Sequence, residues 1–259
     1  MSPGFRLLVD GPAAGAWNMG VDEALFATAQ QGGPRAATLR LYRWDGSWLS
    51  LGYGQPLSRR RRAACEAAGV GVVQRVTGGL AVLHGADLTY AVAAPADRLP
   101  PGLRGSYGLV SDALCLAFAR LGVVLERASA RGGSAAGSAG RRGFDCFAVP
   151  APDELLASGR KLAGSAQRRA GGAVLQHGSI RLSADLPEAA RAAGLDPGKS
   201  TSLAELGVAV GLDAVVASVV DGFQAVLGVS LEPGALSSVE IAAARRRGAR
   251  PARKARRAS

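Results

Sequence analysis

Apolar residues recur at helical spacing in WNMGVDEALFATAQ (17–30), where Met19, Val21, Leu25 and Phe26 would share a face. Asp22 and Glu23 come early in this run and are expected to favour the helix N-terminus. TLRLYRW (38–44) and WLSLGYG (48–54) alternate instead and are rich in aromatic residues. They predict two strands, with DGS (45–47) between them as a hairpin turn. SRRRRAACEAAG (58–69) predicts a helix that ends at Gly69 and turns Arg59–Arg62 to solvent. VGVVQRV, LAVLH and DLTYAVAA predict three further strands, punctuated by Gly78-Gly79 and His84-Gly85. A second helix is expected over residues 106–121, ending at Gly122, followed by a strand VVLER.

ASARGGSAAGSAGRRG (128–143) has no periodicity and reads as a surface loop. FDCFAV, DELLASG, RKLAGSAQRR and AVLQHGSIRL then predict short strands, with turns at PAP and at Gly171-Gly172. From about residue 185 the pattern turns helical, most clearly in LDAVVASVVDGFQAVLG. Helices and strands mix without a regular βαβ alternation. The expected class is α+β, a mixed, largely antiparallel sheet flanked by helices.

At 259 residues, 48% of them hydrophobic, the chain can bury one large core. No apolar run approaches the ~18 residues of a membrane span, and the N-terminus lacks a signal-peptide pattern, so a cytoplasmic protein is expected. The net charge of +11 is unevenly placed: the last 15 residues hold eight basic side chains and no acid. Without those eight, 23 basic face 20 acidic side chains. A single domain over residues 1–240 and a basic, disordered tail over 241–259 are therefore expected. The tail reads either as a solvated solubility or tethering segment, or as one with a specific role on nucleic acid or acidic partners.

Cys65, Cys115 and Cys146 show no CxxC spacing, and His84 and His177 lie far apart in sequence, so no metal site is expected. Cys65 and Cys115 fall inside predicted helices and read as small buried groups. Cys146, between two phenylalanines, reads on its own as a buried core residue. RVTGGLAVLH (75–84) lacks the GxxxxGK[ST] of a P-loop and the GxGxxG of a dinucleotide site. It reads as the turn between two strands, or as a nest of amides beside Arg75 that could bind an anion. Lys161 and Lys199 are the lysines outside the tail.

QRVTGGLAVLHGADLTY resembles the signature of the lipoate-protein ligase and octanoyltransferase family, whose fold is shared with biotin-protein ligases. NMGVDEALF is similar to that family's N-terminal helix, LRLYRWDGSWLSLGYGQ to its first hairpin, and GRKLAGSAQRRAGGAVLQHGSI to the strand pair that carries its lysine. The four matches occur in the family's order, from about residue 17 to 183. The resemblance implies that Arg75 meets an anionic or carbonyl group. It further implies that Thr77, Gly78, Gly79, Leu80, Ala81, Val82 and Leu83 wall an acyl pocket, with His84 at the strand's end and Gly164 and Ser165 on the lysine strand. Lys161 would touch the acyl carbonyl or the reactive centre. Two positions depart from the family: Leu80, where glycine or arginine is usual, and Gly85, where an acid or asparagine is common. Leu80 counts against a nucleotide site.

The cysteine-dependent, ligase-like octanoyltransferases place a nucleophilic cysteine 15 residues before the lysine, the separation of Cys146 and Lys161 here. The implied reaction moves an octanoyl group from acyl carrier protein, through a Cys146 thioester, to the target lysine of lipoyl domains. Those domains belong to 2-oxoacid dehydrogenases or to the glycine cleavage H protein. No cofactor is then required, because a thioester is already activated. An ATP- and Mg-dependent lipoate ligase and an amidotransferase between lipoyl domains remain alternatives. A non-catalytic protein acting on nucleic acid through its tail is a further one, although the body offers no aromatic-basic platform for it.

Overall fold

The computed structural model describes residues 4–33, 35–128, 154–196, 198 and 200–249. The chain runs β1 (Phe5–Ala13), α1 (Gly15–Gln31), β2 (Thr38–Trp44), β3 (Trp48–Leu51), α2 (Arg59–Ala67), β4 (Gly71–Gln74), β5 (Val82–His84) and β6 (Asp87–Pro95). It continues through α3 (Gly102–Arg120), β7 (Glu126–Arg127), β8 (Leu155–Ala157), β9 (Arg160–Ala170), β10 (Ala173–Arg181) and α4 (Pro187–Ala193). α5 (Leu212–Leu227), β11 (Leu231–Pro233) and α6 (Ser238–Gly248) complete it. The α+β class is borne out. An eight-stranded sheet in the order β11-β1-β2-β6-β10-β9-β8-β7 is antiparallel from β2 to β7 and parallel where β1 meets β2 and β11.

One face of this sheet packs on α3 and α5 through Leu39, Leu41, Tyr90, Val92, Phe118 and Phe223. The other packs on α1 and α6 through Leu8, Tyr42, Ala91, Ala93, Leu25 and Ala244. This two-sided burial follows from strand alternation, because successive residues of β2 and β6 serve opposite faces.

A second, three-stranded sheet has the order β4-β3-β5. It corrects two sequence expectations. β2 and β3 do not form a hairpin: Asp45–Ser47 carries the chain from the large sheet to the small one. The RVTGGLAVLH segment is not a hairpin turn either. β4 and β5 both pair with β3, one parallel and one antiparallel, so residues 75–81 cross over β3. Hydrophobic alternation marks strands but does not name their partners.

Helix α1 begins at Gly15, which places Asp22 and Glu23 near its middle rather than at its N-terminus. The predicted strand VVLER forms β-structure only at Glu126–Arg127. α6 runs to Gly248, so residues 241–248, expected as the start of the tail, are helical and pack on α1 through Ala244. Arg59, Arg60 and Arg62 on α2 are exposed, as the sequence suggested, and Cys65 beneath them is buried.

Candidate active site

A cleft opens where the small sheet meets α1 and the helix-α1 face of the large sheet. Register builds its floor: Gly164, Ser179, Thr89 and Tyr42 lie in one row across β9, β10, β6 and β2. Ala166 and His177 form the next row along β9 and β10. Met19, Trp44, Ser50, Arg75, Val82 and His84 close the sides, and Ser165 and Gly178 complete the lining. Both histidines of the chain therefore face one cleft.

Each histidine is fixed in the same way. His177 Nδ1 lies 2.9 Å from Asp22 Oδ2, and its Nε2 lies 2.6 Å from the Thr77 hydroxyl. His84 Nδ1 lies 2.8 Å from Asp87 Oδ2, and its Nε2 lies 2.8 Å from the Ser50 hydroxyl. A carboxylate at Nδ1 selects the tautomer protonated there and leaves Nε2 as an acceptor. The His84 ring also stacks on Trp44, with centroids 4.0 Å apart. Trp44 Nε1 donates to Thr89 Oγ1, which donates to Asp87.

Asp22 holds more than His177. It accepts from Arg40 Nη1 at 2.9 Å and from the Tyr42 hydroxyl at 2.8 Å. Burial pushes its pKa up, but the hydrogen bond from His177 and the Arg40 charge outweigh burial, and it is lowered overall. Burial lowers the His177 pKa, and Asp22 only partly offsets this. Asp87 follows Asp22: burial raises its pKa, while His84 and the Gly85 amide bring it below the usual carboxylate value.

The glycine-rich crossover is held from inside. Arg75 Nη1 donates to the Ser50 carbonyl at 2.7 Å and to Ser50 Oγ at 2.8 Å. Its Nη2 donates to the carbonyls of Gly78 at 3.1 Å and Leu80 at 3.0 Å. Arg75 thus clasps its own loop. Gly52 at the end of β3 lets that loop close, since a β-carbon there would collide with the Gly79 carbonyl.

The structure brings Arg75, Val82, His84, Gly164 and Ser165 into the cleft wall, with Thr77 joined to it through His177. Leu80 packs against Val82. Ala81 and Leu83 turn the other way, into a cluster with Cys65, Ala189 and Ala190 beneath α2 and α4. Gly78 and Gly79 contribute backbone. Lys161 is fully buried at the start of β9, and its Nζ lies 2.6 Å from Glu154 Oε1, itself buried. Cys146, the FDCFAV segment, nearly all of the 128–143 stretch and Lys199 lie outside the described residues.

Asp22, Tyr42, Trp44, Ser50, Asp87, Glu154 and His177 were not singled out from sequence. One signal could have found His177: the chain has two histidines, each followed by glycine near a strand, LHG and QHG. Among the described residues no cluster of His, Cys, Asp and Glu could hold a metal ion, and no helix is long and apolar enough to cross a membrane.

Residues 14–224 match the family described as the lipoyl protein ligase A/B catalytic domain. The chain is 38% identical to the octanoyltransferase LipM of Symbiobacterium thermophilum, covering 93% of this chain and 92% of that one. It is 36% identical to the octanoyltransferase LipM of Kyrpidia tusciae, covering 91% and 92%. In structure it is similar to a lipoate-protein ligase A bound with ATP, with a TM-score of 0.78 at 21% identity over 94% of this chain and 93% of that one. With a match that spans most of its length, and relatives aligned almost end to end, the chain belongs to the lipoyl protein ligase A/B catalytic domain family.

Proposed function

We propose that this protein is an octanoyltransferase of protein lipoylation. It takes the octanoyl group from the thioester of acyl carrier protein and delivers it to the target lysine of a lipoyl domain. The carrying observation is the alignment with octanoyltransferases over more than nine-tenths of both chains. The cleft is consistent with it. Apolar Met19, Val82 and the Trp44 ring offer an acyl chain a bed, and the strand that floors it also carries Lys161.

Cys146 is the proposed nucleophile. Its thiolate attacks the carrier thioester, the C–S bond to pantetheine breaks, and an acyl-enzyme remains. The amine of the acceptor lysine then displaces sulfur to give an amide. Lys161, held by Glu154, is a cation for the oxygen that becomes negative in both steps. The thioester is already activated, so neither ATP nor a metal is required.

Mass spectrometry of the purified protein after incubation with octanoyl carrier protein tests this. The expected result is a thioester on Cys146 without ATP, absent from Cys146→Ala, and octanoylation of an added apo lipoyl domain. Undiminished transfer by Cys146→Ala overturns the acyl-enzyme. Transfer only with free octanoate and ATP assigns a ligase instead.

A further inference from the structure

Amide formation releases a proton from the attacking amine, and a group in the cleft has to take it. Lys161 is poorly suited. Its Nζ lies 2.6 Å from the buried Glu154 carboxylate, a geometry that gives it the part of a hydrogen-bond donor rather than of a proton acceptor. Of the two histidines, which are held alike, His177 lies with Asp22 and Thr77 in the row beyond Gly164, on the side away from Lys161. His84 lies toward the other end: its partner Asp87 pairs across the sheet with Arg181, one residue short of the position opposite Lys161.

Strand geometry supports this placement. Leu162 and Ala163 are neighbours, yet both pack into the cluster on the α3 and α5 face, where the β8–β9 pairing is irregular. Such a bulge offsets the alternation, so Lys161 and Gly164 fall on the cleft side.

We propose that Ser50, His84 and Asp87 form the proton relay of the transfer step, with His84 as the acceptor and Lys161 as a fixed cation. The inference rests on the acyl-enzyme reading above. A hydroxyl has one donor and two acceptor positions. Ser50 Oγ lies 2.8 Å from His84 Nε2, whereas the other acceptor in reach, the Val82 carbonyl, is 3.4 Å away. One lone pair takes Arg75 Nη1, and among the described residues no other donor meets the second, which leaves it for a substrate N–H.

The step balances. The amine lone pair forms the C–N bond. The amine proton passes to Ser50 Oγ as the Ser50 proton passes to His84 Nε2, and Asp87 stabilises the resulting imidazolium. Collapse of the tetrahedral intermediate breaks the C–S bond with its electron pair on Cys146 sulfur. The imidazolium then gives up its proton to that thiolate or to water. Loading of Cys146 needs no such base, because a thiolate attacks and a thiolate leaves. His84 is therefore a positioning and proton-transfer residue for one half-reaction alone.

The test separates the halves in the full-length protein. Cys146 loading from octanoyl carrier protein is followed by mass spectrometry, and discharge to apo lipoyl domain by single-turnover kinetics. His84→Ala is expected to slow transfer about 100-fold more than it slows loading, the usual scale of acid–base catalysis. Added imidazole is expected to restore part of the transfer. Ser50→Ala, which leaves His84 and Asp87 in place, is expected to show the same split and serves if His84→Ala misfolds. Transfer at the wild-type rate in either folded variant overturns the relay. So does parallel loss of loading and transfer without imidazole rescue, which marks a structural role. Failure of wild-type Cys146 to load refutes the acyl-enzyme and the relay with it, and is seen before any variant is made.

Discussion

Asp22 joins three parts of the protein through a single carboxylate: Arg40 and Tyr42 of β2, and His177 of β10, all bonded to a residue of α1. Its partner His177 has a definite pH signature. Burial holds the His177 pKa below its ordinary 6.5, so the unfolded chain binds a proton there more readily than the folded one. Stability from this residue is present above about pH 6.5 and is lost as the pH falls through that value toward the lower folded pKa. Urea unfolding between pH 7.5 and 5 is expected to show declining stability, with a shallower decline in His177→Gln. An unchanged slope in that variant shows that other groups set it.

At the scale of elements, the β4–β5 crossover shapes the cleft, and it is where the sequence was least legible. Among the described residues, four of the six α-helices and most strands follow from periodicity and glycine punctuation, since these signals are local. Strand partners are not local. LRLYRWDGSWLSLG reads as a hairpin because Asp45–Ser47 has turn chemistry, whereas the structure divides it between two sheets. The site divides along the same line. Arg75, His84 and Lys161 sit in segments that announce themselves. Tyr42, Thr89 and Asp22 enter the site only through register and helix packing, which residue spacing does not encode. The crossover also gives a prediction. In Gly52→Ala the new methyl meets the Gly79 carbonyl and forces the loop outward, at an overpacking cost of about 1–3 kcal/mol. We expect a folded protein by circular dichroism with a lowered melting temperature and at least tenfold slower octanoyl transfer. Full activity would show that the loop position is not critical.

Across the whole molecule, the two ends of the fold brace the site together. β1 pairs in parallel with β11, and α6 lies along α1, the helix that carries Met19 and Asp22. The link is a buried ion pair: Arg6 Nη2 to Glu240 Oε1 at 2.6 Å and Arg6 Nη1 to Oε2 at 2.9 Å, with Thr38 and the Ala235 carbonyl completing the guanidinium's bonds. Burial raises the Glu240 pKa, but Arg6 and the Ser237 amide more than reverse this and bring it down to about 2. The latch is therefore intact above about pH 4.5 and weakens as the pH falls toward 2. Glu240→Ala leaves Arg6 buried without its partner and is expected to cost about 3–5 kcal/mol at pH 7, read as a lower urea midpoint. The mutant's deficit should shrink below pH 4. A deficit that persists there assigns the loss to packing of α6.

That latch has a consequence for how the protein comes into being on the ribosome. Arg6 is made 234 positions before its partner and waits for it. α1 reaches its final seat, and Asp22 its place beside His177, once α6 has been made. Contacts of such sequence separation form late and slowly. A nascent chain stalled before α6 would hold the segments that line the cleft, yet present them unassembled. The enzyme is in this sense silent until α6 has been made.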